Sequence, residues 1–356
     1  ESIRQTMSEV IDKYGGKAFQ YGATQGVQEL REAVAKRYGV AVDRVQITSS
    51  SQQGIDVCTR ILINPGDVIL TSSPSYLGAL QSFSSYRAKI VGVSHNTDIQ
   101  EYKSAFVSEI KKAAEEGRTV KFLYMIPDFQ NPSGESLTLE ERKMLADLAE
   151  EYGFLIVEDS PYRELRYEGE HIPTIYSLAP DRVIHLGSFS KIFAPGFRLG
   201  WAIAHPDILD KIYVCKQSLD LCPPIFDQYV AAEFLESGRL DENLKKSVLL
   251  YKEKRDLLLS LLDSFPLLSR LFVQLILCLI LCLFFSLLLR LFLNWSRSLH
   301  IFYFFCLYVR CRFLGLWFAT SFLLLRSLLV SFCLSLCLGL CLGLCLWFSL
   351  RLYLWL

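Results

Sequence analysis

A chain of 356 residues has room for one large domain and a smaller one. Its balance of 37 basic and 37 acidic residues hides two unlike parts. From Pro266 to Leu356 there is no Asp, Glu or Lys and only seven arginines, so residues 1–265 hold 30 basic against 37 acidic side chains, a net charge of −7. A mildly acidic body argues against a nucleic-acid partner. Its three cysteines, Cys58, Cys215 and Cys222, have no paired spacing, which argues for a reduced, cytoplasmic setting without disulfides. No signal peptide is visible, and the absence of an initial Met predicts that the natural start lies upstream.

In chain order, Val27–Tyr38 has a helical pattern and Val45–Thr48 reads as a strand. Gln53–Leu62 is helical, Pro65-Gly66-Asp67 is a turn, and Val68–Thr71 is a strand. A helix over Tyr102–Glu116 precedes a strand over Val120–Met125. The helix Leu139–Tyr152 opens on Thr138 with Glu141 three residues on, a capping box. Strands follow at Phe154–Glu158, Val183–Gly187 and Leu199–Ala204. From Pro206 the pattern is helical, with further helices over Ile225–Ser237 and Glu242–Leu262. The strands are short and apolar, as strands buried on both faces are. This alternation predicts an α/β fold, a mainly parallel sheet covered by helices, with ligands at the carboxyl ends of the strands.

Several chemical motifs follow those strands. Ser188-Phe189-Ser190-Lys191 places an amine after a strand, where partial desolvation lets it form a Schiff base. Arg198, seven residues on, can clamp a phosphate. Ser-x-x-Lys alone fits a solvated surface lysine better than a reactive one. Asp159 ends a strand and can pair with a protonated ring nitrogen, or cap a helix. Asn131, within Gln130-Asn131-Pro132-Ser133-Gly134, can donate to a phenolate or simply form an Asn-Pro turn. Ser49-Ser50-Ser51-Gln52 offers hydroxyls and helix-terminal amides to a phosphate, or a plain cap. Tyr76 can stack on a flat heterocycle, or be an ordinary loop tyrosine. Each signal is weak alone, but together they supply complementary parts of one site.

The chain resembles the class I/II, fold-type-I aminotransferases, and within them the 2-aminoadipate and kynurenine subgroup. The matching stretches run from Gln20-Tyr21-Gly22-Ala23-Thr24-Gln25-Gly26 through Ser51-Gln52-Gln53, Pro74-Ser75-Tyr76, Phe129-Gln130-Asn131-Pro132 and Glu158-Asp159-Ser160-Pro161-Tyr162 to Gly187-Ser188-Phe189-Ser190-Lys191 and Arg198-Leu199-Gly200-Trp201. The resemblance implies pyridoxal 5'-phosphate as cofactor and a fold-type-I layout. Residues 1–25 would end an N-terminal arm, 26–240 would form the cofactor-binding large domain, and 241–265 would begin a small domain that is truncated or replaced beyond. Lys191 would hold the cofactor and shuttle the proton, and Asp159 would face the ring nitrogen. Asn131 and Tyr162 would bond the cofactor's phenolic oxygen, with Asn131 also touching substrate. Tyr76 would stack on the ring. Ser51, Gln52, Ser188, Ser190 and Arg198 would bind the phosphate, and Tyr21 would reach the phosphate of the neighbouring subunit in a homodimer. Ser50 stands where many relatives have Gly and Ser133 where Thr is usual; both are small and read as tolerable.

The reaction implied is transamination between an amino acid of 2-aminoadipate, aromatic or branched type and a 2-oxoacid such as 2-oxoglutarate. Two alternatives share the motifs: the sensor domain of a winged-helix transcriptional regulator, and another reaction of the fold such as a β-lyase. Nothing in the Leu/Cys/Phe-rich segment 266–356 resembles the family, so the arginine that would grip the substrate carboxylate is not found; the family implies a pyridoxal-phosphate-dependent enzyme, and the chain as written is expected to be inactive or barely active. Loss of Asp, Glu and Lys together fits a shifted reading frame or assembly error. A membrane reading rests on Leu271–Leu289 and Ser327–Leu350, each long enough to span. No metal site is expected, because the Cys-x-x-x-Cys repeats have no His, Asp or Glu beside them.

Overall fold

The computed structural model describes residues 2–264. Residues 1–260 group as one compact unit. The segment 266–356, with the frame, membrane and metal readings placed on it, lies outside the described residues. Among the described residues no helix is long and apolar enough to cross a membrane.

The strands β1 (Val45–Thr48), β2 (Val68–Ser73), β3 (Lys89–Ser94), β4 (Val120–Met125), β5 (Leu155–Asp159), β6 (Val183–Ser188) and β7 (Gly200–Ile203) form one sheet in the order β1-β7-β6-β5-β4-β2-β3. Every neighbouring pair from β6 through to β3 is parallel, while β7 runs antiparallel to both β1 and β6. The helices are α1 (Ser2–Tyr14), α2 (Gln28–Tyr38), α3 (Ser50–Leu62), α4 (Leu77–Ser85), α5 (Ile99–Glu115), α6 (Leu139–Tyr152), α7 (Ile175–Leu178), α8 (Phe189–Ile192), α9 (Pro206–Leu219), α10 (Ile225–Glu236) and α11 (Arg239–Ser264).

Alternation along the strands feeds two cores. Val68, Leu70, Leu123, Met125, Ile156 and Ile203 pack on one face with residues of α2, α5, α6 and α10. Ile69, Phe122, Tyr124, Val157, Ile184 and Leu186 pack on the other with α3, α4 and α9. Asp159 is in phase with Val157 and Glu158 is not. Glu158 therefore points to the first face, where it accepts the backbone N–H groups of Ile175 and Tyr176 at 3.0 and 2.9 Å.

The capping box at Thr138 and Glu141 forms as expected. Strand β3 escapes the periodicity reading because it is a half-exposed edge strand containing Lys89 and Gly92. Helix α1 lies within the stretch expected as the end of an arm, with Tyr14 stacked on Tyr229 of α10 at 4.0 Å. Helix α3 begins three residues earlier than its apolar pattern, at Ser50 rather than Gln53.

Candidate active site

One edge of the sheet collects the motifs. There β1, β2, β4, β5 and β6 end and, being antiparallel, β7 begins. Gly200 is the hinge of this arrangement. Its register partners are Thr48 on one side and Ser188 on the other, so the residues after β1 and β6 flank the start of β7. A Cβ on Gly200 would lie 2.7 Å from the Gly187 carbonyl oxygen, 2.7 Å from the Ser50 carbonyl carbon and 2.8 Å from the Ser51 nitrogen. A Cβ on Gly187 would fall within the Trp201 ring. Only glycine lets these backbones approach so closely. Gly200→Ala is expected to lower stability by about 1–3 kcal/mol through overpacking. A drop in the urea midpoint with unchanged slope would show it; a variant as stable as the parent would mean the first turn of α3 gives way freely.

Around Gly200 lies a cup of donors. Arg198 Nη2 donates to Ser50 Oγ at 2.7 Å and its Nη1 to Ser190 Oγ at 3.4 Å. The Ser190 N–H donates to Ser188 Oγ at 3.2 Å. Ser51 and Gln52 occupy the first turn of α3, whose leading amides have no partner within the helix. Ser50 and Arg198 both hold left-handed backbone, with φ of 74° and 51°. Such backbone costs a non-glycine residue about 1–2 kcal/mol. Small size is therefore not the only relevant property at position 50: glycine would hold this backbone without that cost. Strain concentrated at two hydrogen-bonded residues marks a site held in shape by its surroundings.

Further along the edge, Asp159 is buried at the end of β5. Tyr124 of β4 donates its hydroxyl to Asp159 Oδ2 at 2.8 Å, while Oδ1 is buried without a partner. Burial pushes the carboxyl up to about 6, against the opposing pull of the Tyr124 hydrogen bond and of His185. Asp159 caps no helix. An acid so placed has one oxygen free to accept from an N–H donor. Tyr124 was not legible as a site residue, because in an apolar strand it reads as core; the requirement that a buried phenol find an acceptor is the signal that points to it.

Asn131 and Tyr162 come from different loops, after β4 and β5, yet the Asn131 amide lies near enough to the Tyr162 hydroxyl to favour its ionised form. Burial raises the Tyr162 phenol above its ordinary value, with Asn131 opposing. Lys191 is exposed in α8, its Nζ 5.9 Å from the centre of the Tyr162 ring. Tyr76, just before α4, donates to Gln52 Oε1 at 3.2 Å, and Gln52 Nε2 donates to the Gly78 carbonyl at 3.1 Å. Gln130, beside Asn131, donates to Ser72 Oγ at 2.7 Å and to the Pro74 carbonyl at 2.9 Å, joining the loops after β4 and β2. The structure thus links Gln52 to Tyr76, brings Asn131 and Lys191 near Tyr162, and links Ser188, Ser190 and Arg198 to Ser50. Tyr21 stands outside this set: it is 85% exposed and has no hydrogen-bond partner among the described residues.

Two observations test the fit of a phosphorylated pyridine aldehyde. The cup offers a helix N-terminus, serine hydroxyls and a guanidinium, which are phosphate-binding groups. The orphaned Asp159 oxygen offers the acceptor that a protonated ring nitrogen requires. Both fit.

The sequence profile of the family described as aminotransferase class I and II matches residues 1–270. Aromatic-amino-acid aminotransferase 1 of Thermococcus litoralis is 43% identical over 277 residues, which are 74% of this chain and 65% of that protein. The 2-aminoadipate transaminase of Thermus thermophilus is 34% identical over 267 residues, 74% of this chain and 66% of that protein. The crystal structure of Pyrococcus horikoshii kynurenine aminotransferase, in complex with PMP, KYN as substrates and KYA as products, superimposes with a TM-score of 0.69 at 40% identity, covering 74% of this chain and 66% of that one. The chain therefore spans about two thirds of the length of the relatives it matches. Profile, sequence identity and fold agree over the same portion of the molecule, and on that agreement the chain belongs to the class I and II aminotransferase family.

Proposed function

We propose that this site binds pyridoxal 5'-phosphate and serves amino transfer between an amino acid of aromatic, branched or 2-aminoadipate type and a 2-oxoacid such as 2-oxoglutarate. The observation that carries this reading is the buried, unpartnered Asp159 oxygen at the same sheet edge as Lys191 and the Arg198 cup. The names of the relatives support the donor classes. When bound, the cofactor supplies an aldehyde that captures amines and a ring that draws off electrons.

This chain's residues then have separable tasks. Arg198, Ser188, Ser190, Ser51 and Gln52 bind the phosphate. Tyr76 covers a ring face. Asp159 keeps a proton on the ring nitrogen, and Tyr124 fixes which of its oxygens is free to do so. Asn131 and Tyr162 donate to the phenolic oxygen, and Asn131 also borders the substrate. Lys191 would hold the cofactor through Nζ and would move the proton at the substrate Cα. The exposed Tyr21 suits a contact across a homodimer. The free cysteines Cys58, Cys215 and Cys222 are in keeping with a cytoplasmic setting.

Titrating the full chain with pyridoxal phosphate is expected to produce a visible absorption band of lysine-bound cofactor, lost on borohydride reduction and absent in Lys191→Ala. A band of equal strength in Lys191→Ala, or none in the parent chain, would overturn the assignment.

A further inference from the structure

One lysine outside the cup lies inside the protein. The Lys216 side chain, on α9, is fully buried. Its Nζ donates to Gln53 Oε1 at 2.7 Å and to the two oxygens of Asp220 at 3.0 and 3.1 Å. Asp220 Oδ2 also accepts from Ser49 Oγ at 2.8 Å and from Gln53 Nε2 at 2.7 Å. Gln53 Oε1 takes the Ser49 N–H at 2.8 Å, which closes the network. Burial lowers the lysine and Asp220 opposes it. Burial would raise Asp220, but the bonds from Gln53 and Ser49 and the Lys216 charge hold it below its ordinary value.

Stability does not account for such a network, since a buried ion pair is often no better than apolar residues of similar volume. Its attachment points are informative instead. Ser49 is the N-cap residue of α3, and a serine there ordinarily accepts from an amide of the first turn. Here it makes no such bond, because its hydroxyl is turned to Asp220. The amides of the first turn are thereby left uncapped, beside Ser50, Arg198 and the rest of the cup.

Resting on the cofactor reading above, we propose that Lys216 and Asp220 are positioning residues for phosphate recognition. They hold Ser49 and Gln53 so that the N-terminus of α3 is capped by the ligand's phosphate rather than by its own serine. Without them Ser49 is free to rotate and compete with the phosphate.

The test compares pyridoxal phosphate with pyridoxal, which lacks the phosphate, on the full chain. Lys216→Met with Asp220→Leu removes both charges together and avoids stranding one. The double variant is expected to keep its thermal stability and its affinity for pyridoxal, and to lose about tenfold in affinity for pyridoxal phosphate. Inorganic phosphate gives a second reading: it raises the melting temperature of the parent and not of the double variant. Equal weakening toward both aldehydes, or an unchanged preference for the phosphorylated one, overturns the proposal while a Lys191-dependent band in the parent leaves the cofactor reading standing. If the double variant does not fold, the phosphate reading is taken on Asp220→Asn, where an undiminished phosphate effect overturns the proposal as well. Absence of the Lys191-dependent band in the parent removes both.

Discussion

Replacing Asp159 by asparagine is expected to weaken binding of pyridoxal phosphate by about 10²–10³-fold, as losing one partner of a buried ion pair does. The same change is expected to stabilise the cofactor-free chain above pH 6. The two effects have one cause. Burial raises the Asp159 carboxyl from 3.8 to about 6 in the folded chain, so the folded chain holds this proton more tightly than the unfolded one. Between about pH 4 and 6 the unfolded chain releases its proton first, and stability falls as pH rises. The contribution is fully present below about pH 4 and is lost as pH passes about 6. Over a separation of about two pH units this amounts to about 3 kcal/mol. Asparagine can still accept from Tyr124 and never ionises. Urea midpoints of both forms at pH 4.5 and 7.5, with a fluorescence titration of cofactor at pH 7.5, check the pair of effects. A variant that binds cofactor as tightly as the parent would sink the assignment of Asp159 to the ring nitrogen.

The elements of this site differ in how openly the sequence displays them. Lys191, Asp159, Asn131 and Arg198 stand where strand periodicity stops and turn chemistry begins, so their polarity is conspicuous and their clustering follows from the parallel sheet. The antiparallel course of β7 is not visible in its residues. Yet that reversal brings Arg198 and Gly200 to the edge shared by Thr48 and Ser188. Residues whose role depends on what lies across the fold are hidden in ordinary patterns. Tyr124 alternates with core residues. Lys216 sits in a helix that reads as amphipathic, where a lysine is expected to face water. Ser50 differs from glycine by one hydroxymethyl group, and only its φ of 74° shows what that difference costs. Burial, register and backbone conformation are long-range outcomes, and a local pattern carries them only when a neighbour's identity forces them.

The second large effect is expected at Asp128, where alanine should remove about 3–5 kcal/mol of stability, a substantial share of the 5–15 kcal/mol or so typical of a folded domain. Asp128 is wholly buried among three arginines. Its Oδ1 accepts from Arg142 and Arg166, each at 2.9 Å, and its Oδ2 from Arg142 at 3.3 Å and Arg163 at 3.2 Å. Burial alone would raise this carboxyl, but the guanidinium groups outweigh it and hold it below its ordinary value. That stabilisation is present at neutral pH and lost as the pH falls below the ordinary carboxylate range, so parent and variant should converge in acid. Alanine leaves Arg142, itself fully buried, facing two other cations with only the carbonyls of Pro127, Leu137 and Pro173 to accept its bonds. Because the charges are shielded from solvent, the loss should persist in 0.5 M salt as about the same energy, unlike that of an exposed pair. Urea unfolding at pH 7 with and without salt measures it, and a loss below about 1 kcal/mol would mean the arginines relax into water. The consequence for function follows from the chain path. Asp128 lies three residues before Asn131, and Arg163 is the residue after Tyr162, so the ion pair between them fastens the two loops that carry the candidate phenolate-binding residues. Asp128→Asn, which keeps the shape and loses the charge, should separate the two roles: an intermediate loss of stability, with Asn131 and Tyr162 still in register.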